Sequence, residues 1–222
     1  MNTWNTGQAE RQEVFDNFAD SLKPFGNGRR LELVEILAQG EHSVETLARL
    51  SGLALTTTSN NLQNLKRTGL VKTRRDGTTI YYSLADDDVL ELFLAAKKVA
   101  LRHNPALANS LQAYMGNPRY SGPTIDPASV TEDMFIIDVR PHSEYASHHF
   151  PNAVSIPIAE LEDRYSEIPQ DRPIAIYCRG ELCRLAREAA TYLREHGLDA
   201  RAMDEGITEW RAAKDITLDH AS

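Results

Sequence analysis

Cysteine is scarce in this chain of 222 residues, which contains only two, and both lie between positions 178 and 183. One such pair cannot supply the disulfide framework that stabilises small secreted domains. Long apolar runs are also absent, and no segment reaches the roughly 20 apolar residues that a membrane-spanning helix needs. The first residues are polar and mixed in charge, unlike a secretory signal. These absences predict a cytoplasmic protein with no membrane partner.

Basic residues are in the minority, and the formal net charge is −8, but the charges are distributed unevenly. Residues 1–119 carry 14 Lys and Arg against 13 Asp and Glu, whereas residues 120–222 carry 10 against 19. Residues 56–82 have a local excess of +4. The two halves therefore differ in net charge, and the basic stretch of the first half is suited to an anionic partner.

The length of the chain predicts two domains of about 100 residues each. Proline and glycine concentrate between His103 and Phe135, and residues of this kind mark turns and end helices. We predict a first domain over residues 10–116, a linker over residues 117–123 and a second domain over residues 124–217.

The first domain has the pattern of short helices followed by a β-hairpin. The stretch "SVETLARLSGLALTTTSNNLQNLKRTGLV" contains two helical segments joined by a turn at Gly52, which is typical of a helix-turn-helix. In "VKTRRDGTTIYYSL", two β-rich runs flank Asp76-Gly77, a strong hairpin signal. This pattern predicts a mainly-α winged helix-turn-helix with a β-hairpin wing.

The second helix of this pair carries a polar, uncharged stripe, because Thr57, Asn60, Asn61 and Asn64 recur at helical spacing. Asparagine can form paired hydrogen bonds with adenine and threonine can contact a thymine methyl group, while nearby cations meet phosphates. A solvated helix face beside a charged hairpin is the alternative. The predicted DNA-binding residues are Thr56, Thr57, Thr58, Asn60, Asn61, Asn64, Lys66, Arg67, Arg74 and Arg75.

The order of this helix, the basic hairpin and "YYSL" resembles the recognition helix and wing of the ArsR family of bacterial winged-helix repressors, over about residues 10–103. The resemblance implies a homodimer on near-palindromic double-stranded operator DNA. It implies pairing through the first helix and through Val89–Leu101, with Leu90, Phe93, the stem of Lys97 and Ala100 on the paired surface. An intrachain core helix is the alternative for that segment.

Many members of that family sense metals or arsenicals through cysteines or through acid and histidine clusters. The first domain has no cysteine, and its two histidines, His42 and His103, have no ligand partner at a suitable spacing. We therefore expect sensing to reside in the second domain.

The second domain contains short apolar runs, "MFIIDV" and "PIAIY", which suit buried parallel strands of an α/β sheet. Cys178 follows the second run, at the strand end where such sheets place ligand sites. The amides of a tight loop that enters a helix would favour a thiolate at Cys178, as would Arg179 and Arg184. This arrangement predicts a nucleophilic Cys178, with a buried structural cysteine as the alternative.

Two further stretches, "DVRPHSEYASHHFPNAVSIPI" and "MDEGITEW", resemble the rhodanese pattern, which extends over about residues 124–214. The resemblance implies an α/β rhodanese-like domain with a parallel sheet, in which Cys178 accepts sulfur as a persulfide. It places Asp138, Arg140, Glu144 and His149 in the scaffold. The predicted catalytic loop comprises Cys178, Arg179, Gly180, Glu181, Leu182, Cys183 and Arg184.

The loop departs from the commonest rhodanese form, because Arg184 lies six positions after Cys178 instead of five. That spacing also occurs in related phosphatases and arsenate reductases, which take larger oxyanions. Glu181 would repel a dianion, however, and Cys183 is a second thiol that phosphate chemistry does not require. Two cysteines supply only half of a structural zinc site, so no metal and no cofactor is predicted.

These observations predict a DNA-binding repressor that senses or transfers reactive sulfur through a Cys178 persulfide, with Cys183 as the resolving thiol. The predicted partners are double-stranded operator DNA, a second copy of the chain, and a sulfane-sulfur donor or a small oxyanion. The alternative is an enzyme, a sulfurtransferase or arsenate reductase, with an attached winged helix.

Overall fold

The computed structural model describes residues 3–117, 120–214 and 216–220, with the backbone alone described for residues 3–6. The chain packs as two compact units. The first unit contains the residues up to Leu37 together with Glu41–Val89, and the second contains Ala38–Gly40 together with the residues from Leu90 onward.

The predicted domain boundaries differ from these units, because Leu90–Met115 packs with the second unit although the sequence assigned it to the first domain. Burial of Leu90 and Phe93, which are 0% and 5% exposed, accompanies this packing. The predicted linker over residues 117–123 includes Pro118 and Arg119, which lie outside the described residues, and it stays a prediction.

The helices of the first unit are α1 (Thr3–Leu22), α2 (Gly28–Leu37), α3 (Val44–Ser51), α4 (Leu55–Arg67) and the start of α5 (Asp87–His103), with a short 3-10 helix at Lys23–Gly26. Helix α3 begins after Ser43, whose hydroxyl accepts a hydrogen bond from the amide of Thr46 at 3.3 Å, a common N-terminal cap. It ends at Gly52, which has φ 67°, a left-handed conformation that favours glycine. The predicted helix-turn-helix is therefore confirmed as α3 and α4.

The strands of the first unit are β1 (His42–Ser43), β2 (Val71–Asp76) and β3 (Thr79–Leu84), which form an antiparallel sheet in the order β1-β3-β2. Asp76 pairs with Thr79 across the hairpin turn, and Gly77 has φ 56° there, as tight hairpin turns require. The predicted wing is confirmed.

The core of the first unit contains aliphatic side chains from three helices. Its fully buried residues include Leu33, Leu37, Leu47, Leu62 and Leu65. Each such side chain contributes about 1.5–3 kcal/mol through removal of its surface from water. Because Leu62 and Leu65 anchor one face of α4, the opposite face remains at the surface.

The second unit is an α/β domain preceded by most of α5. Its further elements are α6 (Pro105–Met115), β4 (Thr124–Ile125), β5 (Phe135–Asp138), α7 (His142–Ser147), β6 (Val154–Ser155), β7 (Ile174–Tyr177), α8 (Leu185–Glu195), β8 (Ala200–Met203) and α9 (Ile207–Ala213). The strands form a parallel sheet in the order β4-β8-β7-β5-β6. The parallel sheet predicted from the apolar runs is confirmed.

Strand β7 lies at the centre of this sheet, and all four of its residues are buried, as expected when both faces of a parallel sheet are covered. Helix α8 buries a stripe of small residues and Leu193 against the core. The segment Cys178–Arg184 connects the carboxyl end of β7 to α8. This connection, called the sulfur loop below, therefore has rigid elements on both sides.

Within the described residues, no helix combines the length and apolar character needed to cross a membrane.

Candidate DNA-binding surface and sulfur loop

The outward face of α4 presents Thr56, Thr57 and Asn60, which are exposed, with Asn61 and Asn64 half-buried beside them. The Asn61 side-chain amide donates to the carbonyl of Thr57 at 3.0 Å, and that of Asn64 donates to the carbonyl of Asn60 at 2.8 Å. These five residues are called the recognition face below. All of them except Thr56 form the polar, uncharged stripe that the sequence predicted.

Thr58 does not belong to the recognition face, and its predicted contact with DNA is wrong. Its side chain is 0% exposed, and its hydroxyl donates to the carbonyl of Ala54 at 3.1 Å. The helical rotation between neighbouring residues turns Thr58 towards the core while Thr57 points outward.

Basic residues follow the recognition face and extend along the wing. Lys66, Arg67 and Arg75 are exposed. Lys66 donates to the hydroxyl of Thr73 at 3.0 Å and Arg75 to the carbonyl of Gly77 at 3.0 Å, and Arg67 donates to Asn64. Because these acceptors are neutral, they do not cancel the positive charges, which remain available to phosphates.

Arg74 differs from the other predicted phosphate ligands because two carboxylates surround it. Its guanidinium lies 2.8 Å from Glu41 and 3.4 Å from Asp76, and it covers the ring of Tyr81 at 4.8 Å. The hydrogen bond to Glu41 is the main cause that raises the pKa of Arg74. We therefore expect Arg74 to contribute less to DNA binding than Arg75.

The sulfur loop brings the two cysteines together. Their sulfur atoms are joined in a disulfide, with the Cα atoms 6.3 Å apart, inside the limit of about 7 Å for such a bond. The amide of Cys183 donates to the carbonyl of Gly180 at 2.9 Å, which forms a tight turn between the cysteines. Cys178 is 3% exposed, and Cys183 packs against the same core.

Each arginine of the sulfur loop is paired with a carboxylate. Arg179 lies 2.6 Å from Glu144, whose side chain is fully buried, and Arg184 lies 2.8 Å from Glu188. The sequence predicted that both arginines favour a thiolate, but these pairs compensate their charge.

Arg184 is also held by aromatic rings. Its guanidinium lies 4.8 Å from the ring centroid of Tyr114 and 5.0 Å from that of Tyr120. This stacking, together with the bond to Glu188, fixes Arg184 at the start of α8. Sequence spacing alone did not indicate these partners, because Tyr114 lies in a different helix.

The first turn of α9 holds the sulfur loop through residues to which the sequence assigned no role. Both the amide and the hydroxyl of Thr208 donate to the carbonyl of Arg179, at 2.9 and 2.7 Å. The carboxylate of Glu209 accepts hydrogen bonds from the amides of Glu181, at 3.3 Å, and Gly206, at 3.2 Å. The motif "MDEGITEW" was a signal for this turn, but it did not identify the bonds.

Gly206 is required by a close approach of the backbone. A Cβ atom at this position would lie 2.6 Å from the amide nitrogen of Gly180, closer than such atoms approach in folded proteins. Among the predicted loop residues, Gly180 is buried, Leu182 is half-buried and Glu181 is exposed. Glu181 is therefore the loop residue most accessible to solvent.

A buried polar network supports β5 and β7 next to the loop. Arg140 and Asp138 form an ion pair at 2.6 Å with both side chains 0% exposed, and the hydroxyl of Tyr177 donates to Asp138 at 2.7 Å. Burial raises the pKa of Tyr177 well above its ordinary value, so the hydroxyl stays protonated as a donor. The buried positions of Asp138, Arg140 and Glu144 agree with the scaffold role implied by the resemblance.

Known proteins match the chain in two parts and also as a whole. Residues 125–213 match the family model for the rhodanese-like domain. The chain is 41% identical over 210 residues to the HTH-type transcriptional regulator Rv0324 of Mycobacterium tuberculosis, an alignment that covers 93% of each protein. It is 37% identical over 67 residues to a sulfurtransferase of Allochromatium vinosum, covering 30% of this chain and 61% of that protein.

One solved structure similar to the first part is the homodimeric winged helix-turn-helix DNA-binding domain of Mb0332 from Mycobacterium bovis. It is 46% identical, with a TM-score of 0.40, and the match covers 42% of this chain and 87% of that one. The match to the Mycobacterium tuberculosis regulator spans both units, so it relates the whole chain, and not one unit alone, to an HTH-type transcriptional regulator.

Proposed function

This chain belongs to the ArsR family of winged helix-turn-helix transcriptional regulators and carries a C-terminal rhodanese-like domain, and from that premise we propose a repressor whose DNA binding responds to reactive sulfur. DNA binding is assigned to the recognition face and to the basic residues Lys66, Arg67 and Arg75. The observation that carries the sulfur response is the pairing of Cys178 with Cys183 in one tight loop.

The proposed chemistry has two steps. The Cys178 thiolate attacks the sulfane sulfur of a donor R–S–SH, which forms a Cys178–S–SH persulfide and releases the thiolate RS⁻. The Cys183 thiolate then attacks the Cys178 sulfur, which forms the disulfide and releases HS⁻. The two cysteines together lose two electrons and the sulfane sulfur leaves as sulfide, so no external oxidant is needed.

The charges of the sulfur loop favour a sulfane donor over a doubly charged oxyanion. Arg179 and Arg184 are paired with carboxylates, and Lys97, which contacts the loop, is paired with Glu181 and Glu209. An oxyanion such as arsenate would need cations free to bind it. A polysulfide or persulfide donor reacts with the thiolate itself and does not require free cations of this kind.

A homodimer is part of this proposal. Helix α1 exposes Val14, Phe15 and Phe18, which are 66%, 51% and 59% exposed, and contiguous exposed apolar side chains mark interaction sites. The pairing surface predicted from the sequence also included Leu90, Phe93, the stem of Lys97 and Ala100, but Leu90 and Phe93 are buried within the chain and the side chain of Lys97 is only 11% exposed. We therefore assign pairing mainly to α1, and we place the protein in the cytoplasm, where it can reach operator DNA.

The test titrates operator DNA with the reduced full-length chain before and after treatment with inorganic polysulfide. We expect operator affinity to change by about 5- to 150-fold, the range of typical allosteric coupling. Intact mass should show a persulfide and then the disulfide. Unchanged affinity together with steady turnover of thiosulfate or arsenate would instead favour the enzyme, the reading for which the sulfurtransferase match is the supporting observation.

A further inference from the structure

Lys97 of α5 contacts the sulfur loop directly. Its ammonium lies 2.8 Å from the carboxylate of Glu181 and 2.9 Å from that of Glu209, and its side chain is only 11% exposed. Burial alone would lower the pKa of Lys97, but the two carboxylates outweigh that effect and the pKa is raised. Lys97 is therefore a charged residue held between the loop and α9.

Removal of either carboxylate from this arrangement is unfavourable, because a largely buried ammonium would lose half of its compensation. Glu209 also accepts from the amide of Glu181. The backbone amide of Glu181 therefore binds Glu209, and its side chain binds Lys97. A change in the path of the loop at Glu181 must alter the environment of Lys97.

Gln39 also forms a hydrogen bond to the first turn of α9. It is 0% exposed, its amide donates to the hydroxyl of Thr208 at 3.0 Å, and its carbonyl oxygen accepts from Arg140 at 3.0 Å. Thr208 in turn holds the carbonyl of Arg179. The segment Ala38–Gly40 therefore contacts the sulfur loop through one intermediate side chain.

Both connections are continuous in the chain with the first unit. Lys97 lies on α5, which begins at Asp87 in the first unit. Gln39 lies two residues after the end of α2 at Leu37, which also belongs to the first unit. A helix transmits displacement along its axis because its backbone is hydrogen-bonded throughout.

We propose that Lys97, supported by Gln39, is the positioning residue that couples the state of the sulfur loop to the DNA-binding unit. This inference rests on the proposed function and concerns the regulation of that same site. The disulfide joins residues 178 and 183, and the atoms held by Thr208, Glu209 and Lys97 all lie between them, at residues 179 and 181. Closing or opening the disulfide therefore changes the position of the Glu181 carboxylate that Lys97 contacts.

The first test compares the full-length wild type with Lys97→Gln, in the reduced state and after conversion to the Cys178–Cys183 disulfide by polysulfide. The ratio of operator Kd values between the two states is measured by fluorescence anisotropy. If the wild-type ratio is about 5- to 150-fold, we expect Lys97→Gln to reduce it to below about 3-fold. Mass spectrometry should show that the variant still forms the disulfide.

Two further variants separate coupling from a general loss of charge or stability. Lys98→Gln removes the same charge from the next residue of α5, which is exposed, and should keep the wild-type ratio. Lys97→Arg keeps a cation within reach of both carboxylates and should restore most of the response. A wild-type ratio in Lys97→Gln, or no recovery in Lys97→Arg, would overturn the inference.

Hydrogen exchange supplies a readout that does not depend on DNA. In the wild type we expect disulfide formation to change the protection of backbone amides in α2 and α4 of the first unit, and we expect Lys97→Gln to lose this change. Altered exchange without altered operator affinity would support the coupling and refute the proposed function. A DNA response that is equal in wild type and Lys97→Gln would refute the coupling and support the proposed function.

Discussion

The wing and the sulfur loop use arginine in opposite ways. At the recognition face and wing, Arg67 and Arg75 donate only to neutral acceptors among their described hydrogen bonds. In the sulfur loop, Arg179 and Arg184 each bind a carboxylate. An uncompensated cation is available to an external phosphate, whereas a paired one serves mainly to fix the backbone. The same residue type therefore indicates a polyanion surface in one unit and loop rigidity in the other.

Arg74 shows that the availability of an arginine charge depends on the carboxylates around it and not on the unit in which it lies. It lies in the wing, yet Glu41 and Asp76 compensate its charge. It resembles the sulfur-loop arginines more than it resembles Arg75. Experiments that remove one group at a time can therefore test whether local pairing decides the role of each residue.

The largest effect should follow replacement of the sulfur nucleophile. Cys178→Ser should abolish the polysulfide response of operator affinity, because the first step has no thiolate, while basal DNA binding stays intact. The Cys183→Ser variant should still form a persulfide at Cys178 but should not form the Cys178–Cys183 disulfide. Operator titrations combined with intact mass check both expectations, and a full response in Cys178→Ser would leave the rhodanese-like domain as an appended enzyme.

The next effect concerns base preference at the recognition face. Asn60→Ala should reduce discrimination between the operator and a site with one changed base pair by about 1–3 kcal/mol, the contribution of a good bidentate contact. Asn61→Ala should have a smaller effect, because the Asn61 amide already donates to Thr57. Competition binding against single-base variants of the operator measures both. Equal discrimination in wild type and Asn60→Ala would remove this residue from base readout.

A smaller effect is expected from the wing. Arg75→Ala should weaken binding to all sequences and reduce the slope of log K against log salt by about 0.9, as the loss of one phosphate contact predicts. Arg74→Ala should change the slope less, because carboxylates already pair with Arg74. Arg172→Ala removes an exposed cation from the second unit and is the matched control. Identical slopes in the Arg74 and Arg75 variants would contradict the contrast drawn from their partners.

The smallest effect concerns the two thiols after reduction. Cys178 directly follows β7 and begins the loop, whereas Cys183 lies next to the start of α8, so we expect the lower thiol pKa at Cys178. With the arginines paired, their charges contribute less to this difference in pKa, which should therefore be modest. Alkylation rates of each cysteine between pH 5 and pH 9, followed by peptide mass, give the two values. Equal rates throughout would remove the basis for naming Cys178 the nucleophile.

Local pattern was sufficient to predict the elements that carry both sites. The glycine at position 52 and the Asp76-Gly77 pair predicted the turn of the helix-turn-helix and that of the wing, because few residues adopt left-handed backbone conformations. The stripe on α4 followed from helical spacing, whereas Thr58, which was also predicted to bind DNA, is buried. Charge partners were not predictable in this way, since Glu41 is 33 residues from Arg74 and Glu144 is 35 residues from Arg179.

By itself, the sequence determined the helix-turn-helix and the hairpin after it, two buried strands of the second unit, the polar stripe of α4, and the placing of both cysteines between a buried strand and a helix. These properties depend on residue periodicity and on turn residues, which act over a few positions. The tertiary structure alone decided which arginines are paired and which side chains hold the sulfur loop. Lys97, Thr208 and Glu209 converge on that loop from distant positions in the chain, because hydrogen bonds and ion pairs depend on distances in space that only the packed fold defines.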